Sequence, residues 1–242
     1  MNRLSILASM LAMACLPMMA QKTGSKVQEK PDPNFQIYLC FGQSNMEGNA
    51  AIEDIDRTGV NPRFQAMYAV DDKKAGWKKG QWHTAVPPQA RPSTGLTPVD
   101  YFGRKMVDNL PDSIKVGTIT VAVGGASIDL FDKRTCKAYL KKQPDWMKNF
   151  ASQYNGNPYA RLIELAKIAQ KQGVIKGILL HQGETNKGDV NWPNRVKTVY
   201  NDILKELHLK AEDVPLLVGE TVQKDQGGKC WQHIAVVDDS AK

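Results

Sequence analysis

Hydrophobic positions fall into a few short runs separated by long polar stretches. Phe35-Gln36-Ile37-Tyr38-Leu39-Cys40 is apolar and rich in aromatic and β-branched side chains, which predicts a buried strand. Lys115 to Val123, Val174 to Leu180 and Val214 to Gly219 predict three more. Between them the apolar spacing changes to that of a helix. Val99, Phe102, Met106 and Val107 mark one face of a helix from Thr97-Pro98 to Asn109, with Pro98 suited to its first position. Leu162, Leu165, Ala166 and Ala169 predict a second helix over Tyr159 to Gln172, capped by Gly173, and Trp192 to Leu209 reads as a third. Asn49 to Pro98 and Ile128 to Asn157 show no sustained period and read as long surface excursions.

Strands alternating with helices predict a three-layer α/β/α sandwich with a mainly parallel sheet. The first three strands each end in a polar, glycine-containing segment. These are Phe41-Gly42-Gln43-Ser44-Asn45-Met46, Gly124-Gly125-Ala126-Ser127 and His181-Gln182-Gly183-Glu184-Thr185-Asn186. An open parallel sheet presents ligands at its carboxyl edge, so the three segments are expected to converge there. A serine on a glycine-flanked turn becomes a nucleophile when a base and oxyanion donors stand nearby. Taken alone, the same serine reads first as a cap of the following helix or turn, and the downstream segments turn the reading toward a nucleophile.

Composition adds compartment and excludes some partners. With 242 residues, 42% of them hydrophobic, the chain can bury one large core, and residues 35–242 read as a single domain. Arg3, the apolar run Leu4 to Leu16 and Pro17-Met18-Met19-Ala20 form a signal-peptide pattern over residues 1–20. The run is too short to span a bilayer. A secreted or periplasmic location is therefore expected, with lipid attachment at Cys15 ranked second because Ala12 stands where such sites carry Leu. Residues 21–34 read as a mobile mature terminus. The net charge of +7 is spread over dispersed lysines, which argues against nucleic-acid binding and fits either acidic glycans or simple solubility. No Cys/His spacing resembles a zinc site. Cys40 falls within the first strand, and pairing of Cys136 with Cys230 is left open. Trp77, Trp82 and His83 lie in the first long excursion, where they either stack on sugar rings or pin the loop to the core.

The three strand-end motifs, in this order, resemble the SGNH hydrolase superfamily in its carbohydrate-esterase branch of family 6 acetylxylan esterases and sialate O-acetylesterase-like domains. The resemblance runs from about Phe35 to about Gly219. It implies a flavodoxin-like SGNH hydrolase fold and a serine esterase that removes O-acetyl groups from oligo- or polysaccharide through an acetyl-serine, with no metal or organic cofactor. The implied substrate is acetylxylan or a related acetylated glycan, with O-acetylated sialic acid as the alternative. Ser44 is the implied nucleophile. Its N–H, that of Gly124 and the Gln182 amide are the implied oxyanion donors. Glu184 either orients a catalytic histidine or is a structural carboxylate. Gln43 is expected to assist the turn and, with Trp77, Trp82 and His83, to contact substrate.

Members of this branch carry a last Asp-x-x-His block that holds the general base, and the sequence to Lys242 shows none. The expectation is a C-terminally incomplete domain, or a degenerate one that only binds glycan. His233 is the C-terminal candidate for the base, His181 is expected to shape the site, and His208 to sit on a helix.

Overall fold

A computed structural model describes residues 30–229. The expected signal peptide, Cys15, most of the 21–34 terminus, Cys230 and His233 lie outside the described residues. The chain runs through β1 (Phe35–Gly42), α1 (Ser44–Glu47), α2 (Asp54–Arg57), β2 (Phe64–Met67), β3 (Trp82–Thr84) and α3 (Pro98–Asn109). It continues through β4 (Lys115–Ala122), a 3-10 turn (Ile128–Phe131), α4 (Cys136–Lys141), α5 (Asp145–Ser152) and α6 (Pro158–Ala169). Then come β5 (Val174–His181), α7 (Trp192–Leu207) and β6 (Leu216–Val218).

The six strands form one sheet in the order β3-β2-β4-β1-β5-β6, parallel throughout except between β2 and β3. Alternation along β1 explains the layers. Ile37, Leu39 and Phe41 pack with Leu162 and Leu165 of α6 and Val199 and Ile203 of α7, whereas Tyr38 and Cys40 pack with Val99 and Val107 of α3. Thr97 caps α3, its hydroxyl accepting from the Val99 N–H at 3.4 Å. The expected α/β sandwich is the observed one.

β1 lies between β4 and β5, so the chain leaves it first toward one side of the sheet and later toward the other. The carboxyl end of such a strand opens into the crevice that binds ligands in this class of sheet. Register brings the motifs to one level: Gly42 pairs with Ala122 on β4 and with His181 on β5.

The two aperiodic stretches contain real elements. Four residues of β2, three of β3, six of α4 and eight of α5 are each too short to show much of a period. Gly173 is not a left-handed cap. A Cβ there would stand 2.5 Å from the Phe35 carbonyl oxygen, so glycine serves the close approach of the chain to β1. Cys40 is buried with a free thiol whose pKa burial pushes up. Cys136 is also buried, its thiol pushed up to about 11 by burial and, secondarily, by Asp132. Among the described residues no helix is long and apolar enough to cross a membrane.

Gly42 has φ 153°, and a Cβ there would collide with the carbonyl of His181, its pairing partner on β5. Gly59 has φ 63° with nothing near its missing Cβ. In urea unfolding, Gly59→Ala is expected to cost about 1 kcal/mol and Gly42→Ala upward of about 3 kcal/mol. Equal losses would show that the β1–β5 contact does not require glycine.

Candidate active site

Ser44 is the first residue of α1, directly beyond β1, and is half-buried while Asn45 is exposed. The turn is held from below. The Gln43 N–H donates to the His181 carbonyl at 3.0 Å, and the Gln43 carbonyl accepts from the N–H groups of Met46 and Glu47 at 2.9 and 2.8 Å. Ser44 N–H stands ahead of the first helical acceptor and is left without an intrahelical partner. Among the described residues the Ser44 hydroxyl makes no hydrogen bond.

Gly124 follows β4 at the same level. A Cβ on it would lie 3.9 Å from Ser44 Cβ and 2.7 Å from Glu47 Oε2, so a side chain there would press on the Ser44 turn. Its neighbours spend their N–H groups, Val123 on the Gly42 carbonyl at 3.1 Å and Ala126 on the Val123 carbonyl at 3.2 Å. Gly124 N–H is not spent in this way. Among the described residues, then, the Ser44 and Gly124 N–H groups are not spent on neighbouring backbone and belong to turns that lie side by side, next to the free Ser44 hydroxyl.

Glu184 comes to the same place from the end of β5. Its Oε1 accepts from Asn45 Nδ2 at 2.6 Å and stands 3.8 Å from His181 Nδ1, too far for a hydrogen bond. His181 Nδ1 is buried and has no hydrogen-bond partner among the described residues. A cleft of about 440 Å³ opens over Asn45, His181 and Glu184 and is bounded by Lys187, Glu220 and Lys229. A second, of about 380 Å³, shares Asn45 and His181 and extends to Tyr101.

Gln182 requires a correction. It is fully buried, and its Nε2 faces the Gln43 Oε1 at 3.2 Å, the Ala126 carbonyl at 3.2 Å and Asn186 Oδ1 at 2.7 Å. The Trp192 indole N–H donates to Gln182 Oε1. An indole can only donate, so the atom facing it is the oxygen and the amide orientation is set. Two amide hydrogens facing three internal acceptors leave none for an oxyanion. Gln43 is corrected likewise. It is 3% exposed, and its Oε1 also accepts from the N–H groups of Gly183 at 3.4 Å and Thr185 at 3.2 Å, so it shapes the turn and does not meet substrate.

The fold has counterparts among solved structures. A protein from Arabidopsis thaliana matches with TM-score 0.54 at 16% identity, over 81% of this chain and 90% of that one. NanS matches with TM-score 0.53 at 17% identity, over 81% and 70%. A carbohydrate acetylesterase from Xanthomonas citri matches with TM-score 0.50 at 19% identity, over 75% of this chain and 40% of that one. At such identities the likeness speaks for the fold. The family model for carbohydrate esterases of the sialic acid-specific acetylesterase type matches residues 34–241. The chain belongs to that family.

Within this family member the predicted aromatic contacts are elsewhere. Trp82 packs edge-on against Phe35, with ring centroids 4.8 Å apart, and a Cβ on Gly117 would stand 2.8 Å from it. Phe35 opens β1 and Ser44 lies beyond its other end, and at about 3.3 Å per residue the strand alone spans about 23 Å. His83 pairs with Ala66 on the edge strand β3 and stacks on Trp77 at 4.0 Å. Burial lowers the His83 pKa despite its bond to the Thr84 carbonyl. These three residues pin the first excursion to the sheet. His208 is the exposed, left-handed cap of α7.

Sequence reading missed Asn45, Asn186 and a buried ion pair. Arg91, 1% exposed, pairs with Glu47 on α1, and its guanidinium lies 4.2 Å from the centroid of the Phe150 ring. Asn186 Oδ1 accepts from the Ile128 N–H at 3.0 Å and from Gln182, tying the segment after Gly124 to the end of β5. Arg91→Met alone is expected to destabilise the protein by about 3–5 kcal/mol, because the Glu47 carboxylate is left buried and uncompensated. Adding Glu47→Gln should recover more than half of that loss in a denaturant double-mutant cycle, and additive losses would show that the two side chains do not act as a pair.

Proposed function

We propose that this carbohydrate esterase removes O-acetyl groups from a sugar through an acetyl-Ser44 intermediate. The supporting observation is a free Ser44 hydroxyl beside Gly124 where β1 and β4 end, a Cβ built on Gly124 standing 3.9 Å from Ser44 Cβ. Ser44 Oγ attacks the acetyl carbonyl and its proton passes to a base. The carbonyl oxygen, now an oxyanion, is stabilised by the Ser44 and Gly124 N–H groups. Collapse breaks the bond to the sugar oxygen, which leaves with the proton. Water then attacks the acetyl-serine, and acetate is released with Ser44 restored.

Glu184 is the carboxylate of this reading, held in place by Asn45 and positioned to orient and charge-balance a histidine. Two histidines compete for the proton. His181 stands in the cleft 3.8 Å from Glu184, and His233 is the C-terminal candidate from the sequence. The reading as a purely glycan-binding module drew on Trp77 and Trp82, and their packing against the sheet takes away its platform. The leader pattern of residues 1–20 supports a secreted or periplasmic setting for the proposed reaction.

Acetate release from O-acetylated xylo-oligosaccharide and from O-acetylated sialic acid tests the reaction and ranks the two substrates. Ser44→Ala is expected to lower kcat/KM by about 10³-fold or more and to abolish a trapped acetyl adduct on the peptide that contains Ser44. Activity that survives this substitution would sink the proposal. His181→Ala and His233→Ala separate the candidate bases. The acceptor is the histidine whose loss removes the acid limb of the pH–rate profile, with a drop of about 10²–10⁴-fold at neutral pH.

A further inference from the structure

Trp146 is the second residue of α5 and keeps 48% of its surface exposed. Its indole lies against the turn that carries the oxyanion donor: a Cβ built on Gly125 would stand 2.9 Å from Trp146 Cη2. Gly124, one residue earlier, borders Ser44. Gly125 has φ 69°, a conformation suited to glycine, so no side chain screens the indole from the turn.

The ring is also held in orientation from behind. Phe150, one helical turn on, meets it edge-to-face with centroids 5.8 Å apart at 67°. The other end of this chain of contacts is the Arg91 guanidinium on the Phe150 ring, paired in turn with Glu47 three residues beyond Ser44. The indole is therefore braced against the helix that carries the nucleophile. A lone exposed tryptophan needs no explanation. One fixed against Gly125, the residue after the proposed oxyanion donor, with much of its surface open, offers a flat apolar platform to whatever carries the ester.

The C–H face of a pyranose ring fits such a surface through dispersion and the negative potential of the aromatic face. We propose that Trp146 is the sugar platform of this site, a specificity residue that stacks on the ring bearing the acetyl ester. The proposal rests on the esterase reading for the direction of the chemistry, but not for the binding itself. Recognition of the sugar is thereby assigned to the segment after β4, and not to the excursion that holds Trp77 and Trp82.

The test compares the full chain with Trp146→Ala and Trp146→Phe on O-acetylated xylo-oligosaccharide and on methyl acetate, which has no ring to stack. Trp146→Ala is expected to lower kcat/KM about tenfold more for the sugar ester than for methyl acetate, chiefly through KM, and Trp146→Phe to recover most of the difference. Equal losses on both esters, or no loss on the sugar ester, would overturn the proposal. A second arm measures binding by titration calorimetry in the Ser44→Ala background, with acetylated xylo-oligosaccharide and O-acetylated sialic acid as probes. Adding Trp146→Ala should weaken binding of at least one probe about tenfold. If the parent chain hydrolyses no ester, the esterase reading fails while this arm still decides the platform. Binding unaffected by Trp146→Ala, or no binding of either sugar by Ser44→Ala, would count against it.

Discussion

Gln182 carries a carboxamide that water does not reach, so any of its polar atoms left without a partner would cost about 1–3 kcal/mol. All of them are matched, and the partners come from different parts of the chain. Gln43 follows β1, Ala126 follows β4, Asn186 lies past β5 and Trp192 opens α7. One side chain thus locks three strand ends and a helix into a single relative position. Ser44 adjoins Gln43 and Gly124 lies two residues before Ala126, so the separation of the hydroxyl from its proposed oxyanion donor is set by this buried network. A fully satisfied network of this kind gains rigidity, and a partly satisfied one would be worse than an apolar filling. In this chain the segment after β5 therefore does structural work at Gln182, two residues before the proposed carboxylate, Glu184.

The Glu47–Arg91 pair acts on the other side of the same turn. A buried ion pair contributes little net stability, because desolvation offsets most of the attraction. Its strength is directional. It joins α1 to the segment before α3, where Gly95 N–H donates to the Gly48 carbonyl at 2.7 Å, Leu96 N–H to the Ala50 carbonyl at 2.8 Å and the Thr97 hydroxyl to the Met46 carbonyl at 2.7 Å. A four-residue helix has too few internal hydrogen bonds to hold its own axis. The ion pair and these three bonds supply that constraint from outside, which leaves the exposed end of the turn free to carry Ser44 and Asn45.

The layers and the level of the site were legible in the sequence for a physical reason. Strands buried on both faces read as continuous apolar runs, and the glycine-containing segments after them mark where the runs must end. Register then needed only parallel pairing to bring Ser44, Gly124 and Glu184 together. The direction of each side chain was not legible. Gln182 can face an oxyanion or the interior, and the choice depends on Trp192 and Asn186, whose distances from it appear only in the fold. Arg91 lies 44 residues from Glu47, and no local pattern links them. The short elements β2, β3 and α4 are held by neighbours more than by their own propensity, so their periods were absent where sequence reading looks for them.

The tryptophans show where a readable signal was passed over. Trp82 and Trp146 both fall in stretches that looked aperiodic, and composition cannot tell a loop pin from a sugar platform. The second stretch nevertheless holds Met147, Phe150, Ala151 and Tyr154 at the i, i+3, i+4, i+7 spacing of one helix face, and Met147, Ala151 and Tyr154 are the buried ones, with Phe150 packed partly against the core. Trp146 stands off that stripe, next to its start. An apolar side chain on the stripe is accounted for by the core. One that is large, aromatic and off the stripe is not, and in this chain it is the one that reaches the turn beside Ser44.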